Sequence, residues 1–173
     1  MDKKKNIVIG SLLAVVVLMT VGYAALAQIL TINGTANIAA DWNVKITGIS
    51  LASATGATNT VDKEPTFDAT SATFSVDLAY PGATATYDVA IANAGTIDAK
   101  LDSIVGVDSA NASEPVEVQY EVTGVTEGDK LASGGNTVAH VKVTWVSSEK
   151  DTVPTTTSKT ATITLNYVQD TNS

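Results

Sequence analysis

Beyond residue 28 apolar and polar positions alternate with a period of two, the pattern of strands that bury one face. Leu30, Ile32, Gly34, Ala36 and Ile38 share one face of the first run, and Thr31, Asn33, Thr35 and Asn37 share the other. Trp42, Val44 and Ile46 then alternate with Asn43, Lys45 and Thr47, and the polar stretch 52–60 reads as a loop. Phe74, Val76 and Leu78 alternate with Ser75 and Asp77 up to Pro81-Gly82, a pair that suits a type II turn. The return strand puts Tyr87, Val89 and Ile91 inward and ends at Asn93-Ala94-Gly95. Ile97, Ala99 and Leu101 continue the pattern, and residues 108–115 form a loop closed by Pro115. Val116, Val118, Tyr120 and Val122 make a further alternating strand. Val141, Val143 and Trp145 follow Gly134-Gly135-Asn136, and Ala161, Ile163, Leu165 and Tyr167 form the last run.

These runs predict an all-β domain, an antiparallel β-sandwich of jelly-roll type with about 8–9 strands. The segments with room for a short helix are 98–106 and 126–132. Aromatics are scarce, at 5% of the chain, so Trp42 and Trp145 are the expected core anchors.

The N-terminus breaks the pattern. Asp2-Lys3-Lys4-Lys5-Asn6 is basic, and Ile7 to Ala27 is an uncharged run of 21 residues rich in Ile, Val, Leu and Ala. A basic flank, an apolar run and then small residues is the layout of a secretory signal, here an apolar signal helix. Gly22-Tyr23-Ala24 and Ala25-Leu26-Ala27 both fit the small-x-small cleavage rule. The cut is expected between Ala24 and Gln28, within Ala24, Ala25, Ala27 and Gln28. The chain then divides into a signal peptide, 1–27, and one sandwich domain, 28–173. The rival is an uncleaved anchor, since such a run is long enough to span ~30 Å of hydrocarbon. A type IV pilin leader is disfavoured because the residues after Gly10 carry no acidic partner for a helical filament core.

Charge and composition narrow the partners. Loss of residues 1–27 removes one Asp and three Lys, leaving 17 acidic residues against 7 Lys, a net of −10 over 146 residues. Such a chain repels anionic polymers, which excludes nucleic acid as a partner. Zero Cys removes disulfides and thiolate chemistry and fits an exported bacterial surface protein better than a stapled small module.

Two stretches carry a family resemblance. The Lys-rich start and apolar run ending Gly22-Tyr23-Ala24-Ala25-Leu26 resemble signals cleaved by the ER-type signal peptidase of Gram-positive bacteria. Residues 74–82, Phe-Ser-Val-Asp-Leu-Ala-Tyr-Pro-Gly, followed by Tyr87 to Ala99 with its Asn93-Ala94-Gly95-Thr96-Ile97 turn, resemble the TasA/camelysin family. The resemblance covers about residues 1–105. Two positions depart from the family pattern: Ala83 stands where Asp usually follows Pro-Gly, and Leu26 where an aromatic is usual. The resemblance implies a secreted jelly roll of the cell surface or biofilm matrix, in some members a fibre subunit whose partners are copies of itself or related subunits. It also leaves open a camelysin-like secreted metalloprotease. A monomeric, membrane-anchored adhesin or ligand-binding sandwich is the other alternative.

Candidate chemistry is sparse. His140 is the only histidine and falls on the polar side of its strand beside Lys142, and no His-Glu-x-x-His pattern accompanies it. Asp98 with Asp102, or Glu127 with Asp129, are carboxylate pairs in turns or on polar faces, where solvated charge is the default. Asp108, Asn111 and Glu114 offer oxygen ligands for weak Ca²⁺ binding, without EF-hand spacing or its glycine. No cofactor signature is present, and no catalytic residue is assigned. The strongest functional reading is assembly: once freed at Gln28, residues 28–38 form a leading strand able to add to a neighbour's sheet. Leu30, Ile32, Ala36 and Ile38 then act as plugs, and Gly34 permits close backbone approach. The bland alternative is a strand that pairs within its own domain.

Overall fold

The computed structural model describes residues 3, 5–14, 34–146 and 159–171. The chain divides into two compact units, Met1–Ile38 and Ala39–Ser173. In the first, residues 5–14 form an exposed helix, α1, the beginning of the apolar run. No helix among the described residues is long and apolar enough to cross a membrane. The cleavage region Ala24, Ala25, Ala27 and Gln28, and the plugs Leu30 and Ile32, lie outside the described residues. Residues 34–38 form no strand, and Ile38 is 96% exposed. Alternation there makes an apolar ribbon face, but a strand exists only once a second chain segment accepts its main-chain hydrogen bonds.

The second unit is an all-β domain built from several antiparallel sheets. Its strands are β1 (Val44–Thr55), β2 (Ala57–Asn59), β3 (Thr66–Phe67), β4 (Ala72–Thr73), β5 (Val76–Leu78), β6 (Thr84–Asn93), β7 (Ala99–Val105), β8 (Val118–Thr123), β9 (Lys130–Leu131), β10 (Asn136–Trp145) and β11 (Thr164–Gln169). A four-stranded sheet runs β1-β6-β10-β8, and a three-stranded sheet runs β11-β7-β9. The pairs β2-β5 and β3-β4 complete the set. The extra strands relative to the sequence expectation are short rungs of two or three residues, β2, β3, β4 and β9, below the length at which periodicity is visible.

The central strand β6 shows why the pattern works. Every second residue is buried, Ala85, Tyr87, Val89, Ile91 and Asn93, while the residues between are half-exposed. It is paired on both edges, with β1 and β10, so only the side-chain faces differ in environment. Val89 and Ile91 from β6, Ala139 and Val141 from β10, Ala99 and Leu101 from β7, and Leu131 from β9 share one core cluster. Both larger sheets contribute to it, and full burial of a side chain such as Leu101 contributes about 2 kcal/mol.

Three expectations change. Residues 52–55 are not loop: β1 continues through them because Ser53, Ala54 and Thr55 pair with Thr86, Ala85 and Thr84 across two register irregularities. A ready partner strand outweighs polar composition. The loop expected over 108–115 begins as a helix, α2 (Val107–Ala112), whereas 98–106 is mostly β7. Gly106 starts that helix at φ 100°, and a Cβ there would fall 2.0 Å from the Thr162 carbonyl oxygen, so only glycine fits. The tryptophans are not the anchors either. Trp42 is 45% exposed and Trp145 half-buried, while Tyr87, Leu101 and Val143 are the large apolar side chains that are fully enclosed.

Turns carry the remaining polar order. Tyr80 accepts a bond from Ala83 N at 2.9 Å around Pro81-Gly82, with Gly82 at φ 97°, as the sequence predicts. Between β3 and β4, Asp68 accepts from Thr70 N and Ser71 N and from both hydroxyls. The Thr70 amide, then the Ser71 hydroxyl and amide, hold its carboxyl down to about 2. A depressed carboxyl stabilises the fold above its unfolded value and loses that contribution as pH falls through the folded one. The β3–β4 turn is therefore expected to loosen between about pH 4 and pH 2. The Thr70 and Ser71 amide resonances report it, and Asp68→Ala should remove the transition.

Candidate functional site

The alternation that buries one face of β6, β8 and β10 also lines a cavity of about 1250 Å³ in the Ala39–Ser173 unit. One wall is the apolar face of the four-stranded sheet: Ile46 and Ile49 of β1, Val89 and Ile91 of β6, Val141 and Val143 of β10, and Val118, Tyr120 and Val122 of β8. The opposing wall comes from Ala72 to Leu78 and from Lys159 to Leu165, with Tyr167. Phe74 reaches it from a stacked contact with Tyr87, ring centroids 4.1 Å apart. Trp42 and Trp145 line the cavity rather than anchoring the core.

Polar side chains also line the cavity, among them Lys45, Lys63, Thr70, Ser71, Thr160 and Thr162. Thr60 donates to Asp77 Oδ1 at 2.8 Å and accepts from the Ser75 hydroxyl at 3.0 Å. Lys159 Nζ donates to the carbonyls of Pro115 at 3.0 Å and Val118 at 2.6 Å. Its burial pulls the amine below the ordinary lysine value, against the opposing pull of Glu114 and Glu117. Burial raises the phenols of Tyr120 and Tyr167, the latter helped by Asp129. The cavity is thus a trough whose sheet wall is mainly apolar and whose other wall mixes apolar and hydroxyl side chains. Such a trough accepts alternate apolar side chains of an extended segment or an apolar small molecule. β11 is a terminal strand of its sheet and contributes Thr164, Leu165 and Tyr167 to the trough wall.

The sequence candidates land elsewhere. His140 stands opposite Asp88 across the β10–β6 ladder, and its Nδ1 contacts Asp88 Oδ1. Its side chain is 41% exposed and belongs to the alternate set from the trough-lining Val141. Three of the four carboxylates proposed as acid–base pairs accept from backbone amides instead. Asp98 accepts from Ser133 N, Glu127 from Ile104 N and Asp129 from Thr126 N. Among the described residues no group of three His, Asp or Glu side chains is placed to hold a metal ion. Of the Ca²⁺ candidates, Asp108 and Glu114 are exposed on either side of Asn111, whose amide is occupied: Oδ1 accepts from Tyr120 N and Nδ2 donates to Tyr120 O. Of the assembly positions, Gly34, Ala36 and Ile38 are exposed and outside any strand.

Sequence reasoning missed the trough itself. Its walls are alternating strands like any others, and the gap between them is created by chain segments far apart in sequence. It placed Asn93 at the end of its strand but not the bonds its buried amide makes to Ile97 O, Leu131 O and Gly95 N. That position was readable as an interruption of the apolar set before Gly95. No family model matches the chain, and neither the curated proteins nor the solved structures contain a match.

Proposed function

We propose that this chain is an exported bacterial structural subunit of the cell surface or extracellular matrix, a β-sandwich of jelly-roll type that assembles with copies of itself by strand addition. Residues 1–27 are removed by signal peptidase in this reading, and residues 28–38 become the donor. The observation that carries it is the trough beneath the apolar face of the four-stranded sheet, in a chain whose exposed residues 34–38 remain outside any strand. A trough of this kind takes every second side chain of an extended segment, and residues 28–38 present Leu30, Ile32, Ala36 and Ile38 at that spacing. β11, a terminal strand among the described residues, supplies main-chain partners beside it. A donor that leaves one subunit and enters the next makes a head-to-tail contact that does not close, which yields a filament.

The test replaces plugs without removing the segment. Leu30→Lys with Ile32→Lys should leave the Ala39–Ser173 fold intact by circular dichroism. It should also reduce filaments in electron micrographs of processed protein by at least about tenfold, since each large aliphatic plug contributes about 2 kcal/mol on burial. Normal filament abundance from this variant would refute strand addition. The same trough admits a second reading, an apolar-ligand-binding sandwich. That reading predicts strictly monomeric processed protein and quenching of Trp42 and Trp145 fluorescence by a long-chain fatty acid.

A further inference from the structure

β8 ends the four-stranded sheet, and among the described residues no strand pairs with its other edge. An alternating strand with a bare edge is a template for pairing with another chain, and β8 has the composition for it, Val-Gln-Tyr-Glu-Val-Thr. The outward main-chain groups of two of its residues, Val118 and Tyr120, are nonetheless occupied. Tyr120 N–H donates to Asn111 Oδ1 at 2.7 Å, and Tyr120 C=O accepts from Asn111 Nδ2 at 2.9 Å. One primary amide therefore satisfies both groups of one strand residue, as a partner residue in an antiparallel ladder would. Two residues earlier, Val118 N–H donates to the Pro115 carbonyl and Val118 C=O accepts from Lys159 Nζ.

We propose that Asn111 and Lys159 form a surrogate strand that seals β8 against strand addition by a second copy of this chain. The occupant excluded is the β8 strand of that second copy. An antiparallel self-pairing centred on Tyr120 sets Val118 against Val122 and Gln119 against Glu121, with no like charges opposed. It would join two four-stranded sheets about a two-fold axis. The seal is held in place from both sides. Gly106 fixes the start of α2 where a side chain would strike Thr162 O, and Gln119 Nε2 donates back to the Asn111 carbonyl at 3.3 Å. Lys159 is half-buried and desolvated, so its ammonium is confined to the two carbonyls it contacts. The seal removes β8 from the terminal strands open to pairing, a set that also holds β1, β9 and β11 among the described residues. The seal rests on β8 contacts alone and stands whether or not residues 28–38 act as a donor strand.

Two measurements on the full chain test it. In the wild-type protein the Tyr120 amide should exchange with deuterium as slowly as the Glu121 amide, which faces the paired β10. Exchange at the rate of a bare edge amide would overturn the seal with no variant required. In Asn111→Ala/Lys159→Met the Tyr120 amide should exchange at least about tenfold faster, because both main-chain partners are gone. A synthetic peptide carrying residues 116–124 should then bind the variant at least about tenfold tighter than wild type by fluorescence anisotropy. A folded variant, with β10 amides still protected, that binds the peptide no better than wild type would overturn the proposal. Should the double variant not fold, Asn111→Asp serves instead. It keeps the acceptor for Tyr120 N–H, loses the donor to Tyr120 C=O, and should bind the peptide to an intermediate degree; binding at the wild-type level would count against the seal.

Discussion

Asn93→Ala is expected to cost the domain about 3 kcal/mol and lower its melting temperature by roughly 10 °C. Asn93 is 1% exposed at the end of β6, inside the Asn-Ala-Gly turn. Its Nδ2 donates to Ile97 O at 2.8 Å and to Leu131 O at 3.0 Å, and its Oδ1 accepts from Gly95 N at 3.1 Å. One side chain thereby ties the end of β6 to the approach to β7 and to β9. Alanine would leave two carbonyls and an N–H without that partner where water has little access, each costing about 1–3 kcal/mol before relaxation. Gly95 shows how little relaxation is available, since a Cβ there would lie 2.4 Å from Asp41 O. Asn93→Asp keeps the acceptor, loses both donors and buries a carboxyl, so it should be at least as damaging. Thermal unfolding by circular dichroism measures both variants. A shift below about 2 °C for the alanine variant would show that the turn stands without the amide.

Deletion of residues 28–38 behind the signal segment is expected to abolish filaments while leaving a folded monomer. The fold should survive because Ala39–Ser173 forms a compact unit of its own, with its core cluster drawn entirely from residues 44–167. Filaments should vanish because the deletion removes every plug at once, whereas the lysine variants remove two. Sedimentation velocity on the exported, processed protein distinguishes monomer from polymer, and electron microscopy counts filaments directly. Adding back a peptide of residues 28–38 should restore occupancy of the trough, read as a change in Trp42 and Trp145 fluorescence, without restoring filaments. Abundant filaments from the deleted chain would refute donor-strand addition and leave the β8 seal untouched.

Much of the architecture is legible in the alternation. The inward set Tyr87, Val89 and Ile91, the Pro81-Gly82 turn and the stop at Asn93-Ala94-Gly95 are local consequences of residue type, and each lies where the pattern places it. The polar residues 52–55 resisted the same reading because their strand character comes from β6, distant in the chain, where Ala85 pairs with Ala54 and Thr84 with Thr55. Asn111 resisted it for a related reason. By composition it belonged to a loop of oxygen ligands, and only the approach of β8 assigns its amide to Tyr120.

What this sequence determines by itself is which side chains face inward and where the chain turns, because a two-residue period and a Pro-Gly or Asn-x-Gly corner act over a few residues. It also determines the acidic balance, the absence of cysteine and the apolar N-terminal run. The tertiary structure alone decides what the inward faces meet: a packed core that encloses Leu101, and a cavity lined by the face of the four-stranded sheet and by residues of β11. It alone decides that the outward main-chain groups of Tyr120 are taken by the Asn111 amide. Those outcomes depend on pairings between segments distant in the chain, and alternation states that a face is apolar without stating what covers it.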